Sequence, residues 1–298
     1  MHLLEVEDVY KDYGAKRVLD NVDLKVKAGE FCTVIGPSGC GKSTLLRLIL
    51  GQEAPTEGTV LVNGQPVGLP DRTRGIVYQK YTLFPHLSVL ENVLLGRRLE
   101  QWWNPFYRKK EHVEEAMDYL NRVRLAEAAG KYPHELSGGM QQRVAIAQSL
   151  IMKPPILLMD EPFGALDPDT RTDLQLYLLE LWEREGLTIF FVTHDMTEAC
   201  FLGTRLLVLS QYYSDDRGDG TEVRRGGRIV ADHPLPDVAT STDIINSKEF
   251  QLLIEQVRQE GFNPAIRQHV RDFNLKHPDS FRTLLQTEDH QIAGGKIL

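Results

Sequence analysis

Gly36-Pro37-Ser38-Gly39-Cys40-Gly41-Lys42-Ser43-Thr44 follows a short β-type run, Phe31 to Ile35. It opens an apolar-periodic helix at Leu45-Leu46-Arg47-Leu48-Ile49-Leu50. Strand, glycine-rich loop and helix in that order are the context a phosphate-binding loop requires. Gly36, Gly39 and Gly41 permit backbone dihedrals that a Cβ forbids, so the main chain can come close to a ligand. The loop N–H groups and the helix N-terminus then form an anion cradle. In such a cradle Lys42 reaches the β- and γ-phosphates and the Ser43 hydroxyl takes a Mg2+ position.

The rest of the chain is ordinary globular protein around this loop. Of its 298 residues 42% are hydrophobic and 26% charged, enough to bury a sizeable core. No apolar run approaches the roughly 18 residues a bilayer span needs. The opening Met1-His-Leu-Leu-Glu-Val-Glu-Asp8 is acidic and alternating, unlike a signal peptide, so a cytoplasmic protein is expected. Cys32, Cys40 and Cys200 show no metal spacing and fit reduced thiols. A net charge of −8 argues against a general nucleic-acid binder.

Within residues 2–31, Leu4 to Tyr10 and Val18 to Val26 alternate or run apolar and read as antiparallel strands, with turns at Tyr13-Gly14 and Ala28-Gly29. Tyr13 at the first turn reads either as an aromatic packed on the sheet end or as a ring stacked on a purine. Glu57 to Val62 alternates and ends in Asn63-Gly64, a strong hairpin signal. Gly75 to Tyr78 is a buried-type strand ending at Gln79, and Ser88 to Glu91 looks like a capping box. The chain then turns helical, with a stripe at Val113, Ala116, Met117, Leu120 and Val123. Trp102 to Lys110 reads as aromatics in a small helical core or as an exposed aromatic-basic patch.

Leu136-Ser137-Gly138-Gly139-Met140-Gln141-Gln142-Arg143 leads into an apolar helix, with Ser137 as N-cap. Ile156-Leu-Leu-Met-Asp160 is a continuous apolar strand of the kind buried in parallel sheets, ending in Asp160-Glu161. Adjacent carboxylates at that end lie where open α/β sheets bind ligands, and point to Mg2+ and an activated water. Thr170 to Arg184 is an amphipathic helix, and Leu187 to Val192 a second buried strand that delivers Thr193-His194-Asp195 to the same edge. Arg205 to Ser210 and Arg228 to Val230 read as a closing antiparallel pair, joined by a polar surface loop whose Arg217-Gly218-Asp219 is read as coincidence. Glu249 to Val257 is a last helical stretch, and the tail beyond Gly261 carries no recognisable chemistry.

Phosphate loop, Gln79, Leu136-Ser-Gly-Gly-Met-Gln-Gln-Arg143, Ile156 to Glu161 and His194 stand in one fixed order that resembles the ATP-binding-cassette (ABC) ATPases. The likeness covers about residues 2–235 and is specific through its Leu-Ser-Gly-Gly signature. It implies an α/β fold: a phosphate-loop core with a mainly parallel sheet, an N-terminal antiparallel β subdomain and an inserted α-helical subdomain at about 88–152. The ATPase domain would span 1–240, with 241–298 a C-terminal helical extension of open role.

The resemblance also implies roles. Tyr13 stacks on adenine; Gly36, Ser38, Gly39, Cys40, Gly41, Lys42, Ser43 and Thr44 hold the phosphates of ATP. Ser43, Gln79 and Asp160 serve Mg2+. Glu161 is the general base, His194 bonds the γ-phosphate, and Gln79 senses the nucleotide state. Ser137, Gly138 and Gly139 cap the γ-phosphate held by a second, head-to-tail ABC subunit, identical or not, and Asp167 lies on the loop crossing that interface. The resemblance is to bacterial importer ATPases, more weakly to the nitrate, sulfonate and taurine group. It implies transmembrane permease subunits docking near Gln79 to Pro85, a periplasmic or surface solute-binding protein, and a peripheral place on the cytoplasmic membrane face. A cassette for lipid movement or export would share every motif; a soluble mechanical ATPase would carry a coiled-coil insertion or a second cassette.

Overall fold

The computed structural model describes residues 2–80, 82–100, 109–217, 223, 225–235, 242–282 and 291–292. The Trp102–Lys110 segment, apart from its last two residues, lies outside them, as do Tyr81, Gly218, Asp219 and Pro236. The chain divides into two compact units, Met1–Pro70 with Trp182–Leu298, and Asp71–Leu181.

In the first unit, β1 (His2–Tyr13) and β2 (Lys16–Lys27) pair antiparallel around the expected turn after Tyr13. They contain the two expected runs, and each strand extends beyond its run. Asp8 (φ 50°) and Asn21 (φ 54°) sit in the left-handed region, and the register shifts beside each. Such a bulge flips the alternation of faces, so each strand continues although its two-residue period breaks. The Asp8 kink is fixed by its own N–H, which donates to Asp23 Oδ1 at 2.8 Å. β3 (Phe31–Ile35) is buried throughout and runs into the phosphate loop and α1 (Lys42–Leu50). β4 (Glu57–Val62) pairs with β1 and turns back into β5 (Gln65–Pro66). Asn63 and Gly64 make that turn at φ 53° and 71°, as the hairpin signal required.

The second unit holds β6 (Arg74–Tyr78), then α2 (Val89–Glu100), α3 (Lys109–Arg122), α4 (Gly138–Leu150), β7 (Ile156–Asp160) and most of α5 (Pro168–Glu185). The capping box forms: the Ser88 N–H and Oγ each reach Glu91 Oε2 at 3.0 Å, and the Glu91 N–H returns to Ser88 Oγ at 3.3 Å. β6 and β7 are parallel neighbours with Tyr78 opposite Asp160, and Ile156 through Met159 are buried.

Back in the first unit, β8 (Thr188–Val192) and β9 (Arg205–Ser210) flank β3 in parallel, joined by α6 (Met196–Leu202). After β10 (Tyr213–Ser214), β11 (Arg228–Pro234) returns antiparallel to β9, the expected closing pair. The fold is thus α/β, with mainly parallel strands carrying the loop, an antiparallel N-terminal sheet and a group of helices. No described helix is long and apolar enough to cross a membrane.

The C-terminal extension is helical only in part. α7 (Lys248–Gly261) is capped by Ser247, whose Oγ accepts the Phe250 N–H at 3.1 Å. The chain then returns to β structure: β12 (Gln268–His269) pairs parallel with β10, and β13 (Asn274–Leu275) with β11. Two-residue strands carry no periodicity; their partners, not their own sequence, make them strands. Arg205, 1% exposed, anchors this edge. It grips Asp232 bidentately at 2.9 and 2.7 Å, and the same carboxylate accepts the Ser280 hydroxyl at 2.5 Å. The guanidinium is thereby held well above its ordinary pKa against the cost of its burial, and the extension is tied to the last strands.

Candidate nucleotide-hydrolysis site

The first unit brings the phosphate loop and His194 to one sheet edge. β3 and β8 are parallel neighbours, Val34 opposite Val192, so the loop after β3 and Thr193-His194 after β8 leave the sheet side by side. That is the carboxyl edge where open α/β sheets take ligands. His194 is exposed there; Asp195 caps α6 by accepting the Glu198 N–H at 3.1 Å.

The loop's glycines answer close approach. A Cβ on Gly36 would lie 2.0 Å from the Leu209 carbonyl oxygen, and Gly41 adopts φ 104° with Leu19 Cδ2 only 2.6 Å from its missing Cβ. Behind the loop stands a residue the sequence reading missed. Gly227 lies so near that its Cβ would meet the Cys40 carbonyl oxygen at 1.8 Å. Its N–H donates to Val18 O at 2.8 Å and its carbonyl accepts the Asp20 N–H at 3.0 Å, so it backs the loop from β2. The signal was the Gly226-Gly227 pair just before β11; Gly227 is 187 positions downstream of Cys40 but adjacent to it in space.

Lys42 is 8% exposed and its ammonium donates to two carbonyls of the loop, Gly36 O at 2.7 Å and Pro37 O at 3.2 Å. Among the described residues it has no carboxylate partner. A buried cation satisfied only by neutral dipoles is a poor arrangement alone and a good one beside a polyphosphate. Ser43 lies half-buried in the first turn of α1, and Thr44 is buried. All three cysteines are free and buried; burial pushes the Cys40 thiol up, so at neutral pH it is an uncharged part of the loop.

Tyr13 is 43% exposed, and its hydroxyl donates to Glu53. Glu53 also accepts from Arg47 at 3.0 Å and faces the Lys11 ammonium at 3.3 Å, while that ammonium sits 5.0 Å from the Tyr13 ring centroid. Partial burial and the Glu53 carboxylate push the phenol's pKa up, and the same hydrogen bond holds Glu53 below the usual carboxylate range. The ring is therefore an anchored, exposed platform instead of a core aromatic. If it serves the base of a nucleotide, Tyr13→Phe and Glu53→Gln should each weaken ATP binding about three- to tenfold through a loosened platform and leave inorganic tripolyphosphate binding unchanged. Equilibrium titration with both ligands checks this; equal losses for both would remove Tyr13 from the base.

The second unit assembles the other candidates around two neighbouring strand ends. Because Tyr78 pairs with Asp160, Gln79 and Glu161 leave β6 and β7 together. Glu161 has φ 47°, unusual for a residue with a Cβ, and its carbonyl accepts the Gly164 N–H at 3.1 Å. The tight turn brings Gly164 under Gln79: a Cβ there would meet Gln79 Nε2 at 2.9 Å. Asp167 Oδ1 accepts the Thr170 N–H at 3.0 Å, which caps α5 and holds the carboxyl below its ordinary range.

The signature stretch forms the start of α4. Ser137 Oγ accepts the Met140 N–H at 3.3 Å, and Gln141 Nε2 fixes the approach by donating to Pro133 O at 3.0 Å and Leu136 O at 3.2 Å. Ser137 is exposed; Gly139 is buried, and a Cβ on it would press on Thr170 Cγ2 at 2.4 Å.

The chain matches the family profile described as ABC transporter over residues 19–164. It is 46% identical over 214 residues to a nitrate import ATP-binding protein of Synechocystis sp., covering 70% of this chain and 78% of that one. With an aliphatic sulfonates import ATP-binding protein of Bacillus cereus it shares 44% identity over 252 residues, 84% of this chain and 90% of that protein. Among solved structures, a dimeric ATP-binding cassette in a post-hydrolysis state bound to ADP and Pi aligns with a TM-score of 0.63 at 34% identity, over 78% of this chain and 99% of that one. The chain therefore belongs to the ABC transporter ATP-binding proteins, and it is an ATPase whose hydrolysis is coupled to transport.

Proposed function

We propose that this chain powers a binding-protein-dependent importer of a small anion or small organic solute, from the cytoplasmic face of a bacterial membrane. The observation that carries the import reading is the 44% identity, sustained over 252 residues, to an ATPase named for aliphatic sulfonates import. The nitrate import relative points to the same size and charge of cargo.

In this reading Lys42, the loop N–H groups and the start of α1 hold the ATP phosphates, and Tyr13 holds the base. The uncompensated burial of Lys42 supports the first assignment. Ser43, Gln79 and Asp160 supply the oxygen donors that suit Mg2+. When bound, Mg2+ neutralises charge on the β- and γ-phosphates. Glu161 accepts a proton from the attacking water and His194 donates to the γ-phosphate, so the chemistry is positioning and electrostatics. Ser137, Gly138 and Gly139 complete the pocket of a second cassette, with Asp167 on the connecting loop. Since each pocket is finished only in the dimer, ATP binding favours closure, and hydrolysis loosens it. Permease subunits dock beside Gln79 to Pro85, where Phe84 is 44% exposed. The ATPase domain spans 1–240, with its helical subdomain at about 88–152.

Gentle solubilisation of native membranes with a tagged chain tests the reading. A multi-span membrane protein recovered in about equal amount, with a solute-binding protein associated, is the expected result. Recovery of the tagged chain alone, or with ribosomes or DNA, would overturn the transport assignment and leave the ATPase standing.

A further inference from the structure

The C-terminal extension borders an open cavity of about 320 Å3 within the first unit, remote in sequence from the phosphate loop. One wall is the end of α6 with Cys200 and Phe201; the other is the first half of α7 with Phe250 and Leu253; Leu235 closes the strand side. This volume is at the lower end of small-molecule sites, and the lining is mostly apolar with a few polar groups, the usual make-up of a ligand pocket.

Its polar groups are few and of both signs. His233 is 4% exposed; one ring nitrogen is bonded to Glu260 at 2.7 Å, and Gln256 donates to the other oxygen of that carboxylate at 2.8 Å. Asn274 Nδ2 donates to the same Glu260 oxygen as Gln256, at 2.5 Å, so the Glu260 carboxylate is engaged on both oxygens. Two charged side chains on the lining are different: Glu249, in the first turn of α7, and Lys276, just after β13. Both are exposed, and neither has a charged or hydrogen-bonding side-chain partner among the described residues. The cavity thus presents an apolar interior with one open carboxylate and one open ammonium on its lining. A simple fatty acid would leave Glu249 repelling its head group, and a simple amine would do the same with Lys276. A zwitterion with an apolar body complements both.

We propose that this cavity binds a small α-amino acid with an apolar side chain, its carboxylate on Lys276, its ammonium on Glu249 and its side chain against Phe201, Phe250 and Leu253. A site at this place gives the extension a purpose that its attachment supports: β13 on β11 and the Ser280–Asp232 bond hold the chain on either side of Lys276, and the Ser210 hydroxyl donates to Gly261 O at 2.6 Å at the end of α7. Recognition by two charges of opposite sign is selective, because a ligand lacking either head group leaves its partner unanswered.

The test is calorimetric and ligand-observed NMR titration of the full chain with L-leucine, L-methionine and L-phenylalanine. Each amino acid is compared with 4-methylpentanoate and 3-methylbutylamine, which keep the apolar body and lose one charge. The expected result is saturable 1:1 binding of at least one amino acid. Both single-charge probes should bind at least tenfold more weakly, and Lys276→Gln and Glu249→Gln should each cost tenfold or more. The two substitutions are at exposed positions, so the fold is retained; unchanged thermal melting verifies it. Slower alkylation of Cys200 in the presence of the ligand, read by mass spectrometry, places the binding in this cavity; burial already pushes that thiol up to about 12. No binding by any of the three at 10 mM would overturn the proposal, as would equal binding of a single-charge probe or indifference to both substitutions.

Discussion

Replacing Glu161 by glutamine is expected to slow ATP turnover by about 10²–10⁴ while leaving ATP binding intact. The substitution keeps the shape of the side chain and removes only its ability to accept a proton. Its position supports a role in chemistry over one in packing. Glu161 is half-buried at the carboxyl end of β7 and held at φ 47°, a backbone state costing roughly 1–2 kcal/mol for a residue with a Cβ. Strain of that kind persists where the surroundings over-determine it, here through the Gly164 N–H on the Glu161 carbonyl. Glycine would relieve the strain, so a carboxylate at this position is informative. Single-turnover phosphate release measures the loss; nucleotide titration and gel filtration with MgATP measure what is retained. An ATP-loaded dimer accumulating in Glu161→Gln, and not in the parent, is the accompanying result. Unchanged turnover would remove Glu161 as the base.

Much of this fold was legible because each part needs a local chemistry that only a few residues supply. A continuous apolar run such as Ile156 to Met159 has no exposed face and so belongs to a strand covered on both sides. Ser88 with Glu91, Ser137 and Asn63-Gly64 each satisfy a specific backbone need, and each does so in the structure. What escaped was whatever depends on distant partners. The bulges at Asp8 and Asn21 break a pattern that a window of neighbours cannot repair. Gly227 backs the phosphate loop through van der Waals proximity, which leaves no periodic trace. The Arg205–Asp232 pair joins residues 27 apart in sequence, and both are buried. The exposure of Tyr13 and its bond to Glu53, 40 positions away, likewise leave no trace in the sequence around it.

Lys42→Ala separates the two tasks that geometry gives the loop lysine. Without nucleotide, Lys42 cross-links the loop by donating to the Gly36 and Pro37 carbonyls, each bond worth about 1 kcal/mol net. Its removal also takes away a buried ammonium that has no carboxylate partner among the described residues, a relief of opposite sign. The two nearly cancel, so the melting temperature of the nucleotide-free variant should move by only a few degrees. Binding is another matter. The lost ammonium answers phosphate charge in a buried place, where a charge-assisted contact is worth several times its value in water. MgATP affinity should fall by about 100-fold or more, which is about 2.7 kcal/mol. The difference appears directly in thermal unfolding. ATP at 100 times the dissociation constant stabilises the parent by about 2.7 kcal/mol, and the same concentration should stabilise Lys42→Ala by less than about 0.5 kcal/mol. Lys42→Arg is the informative companion: it keeps the charge but spreads it over a planar fork too broad for the space between two loop carbonyls. It should resemble alanine in binding and be worse in nucleotide-free stability. A full ATP-dependent rise in melting temperature in either variant would mean that the loop's N–H groups alone hold the nucleotide, and Lys42 would then be a structural strut.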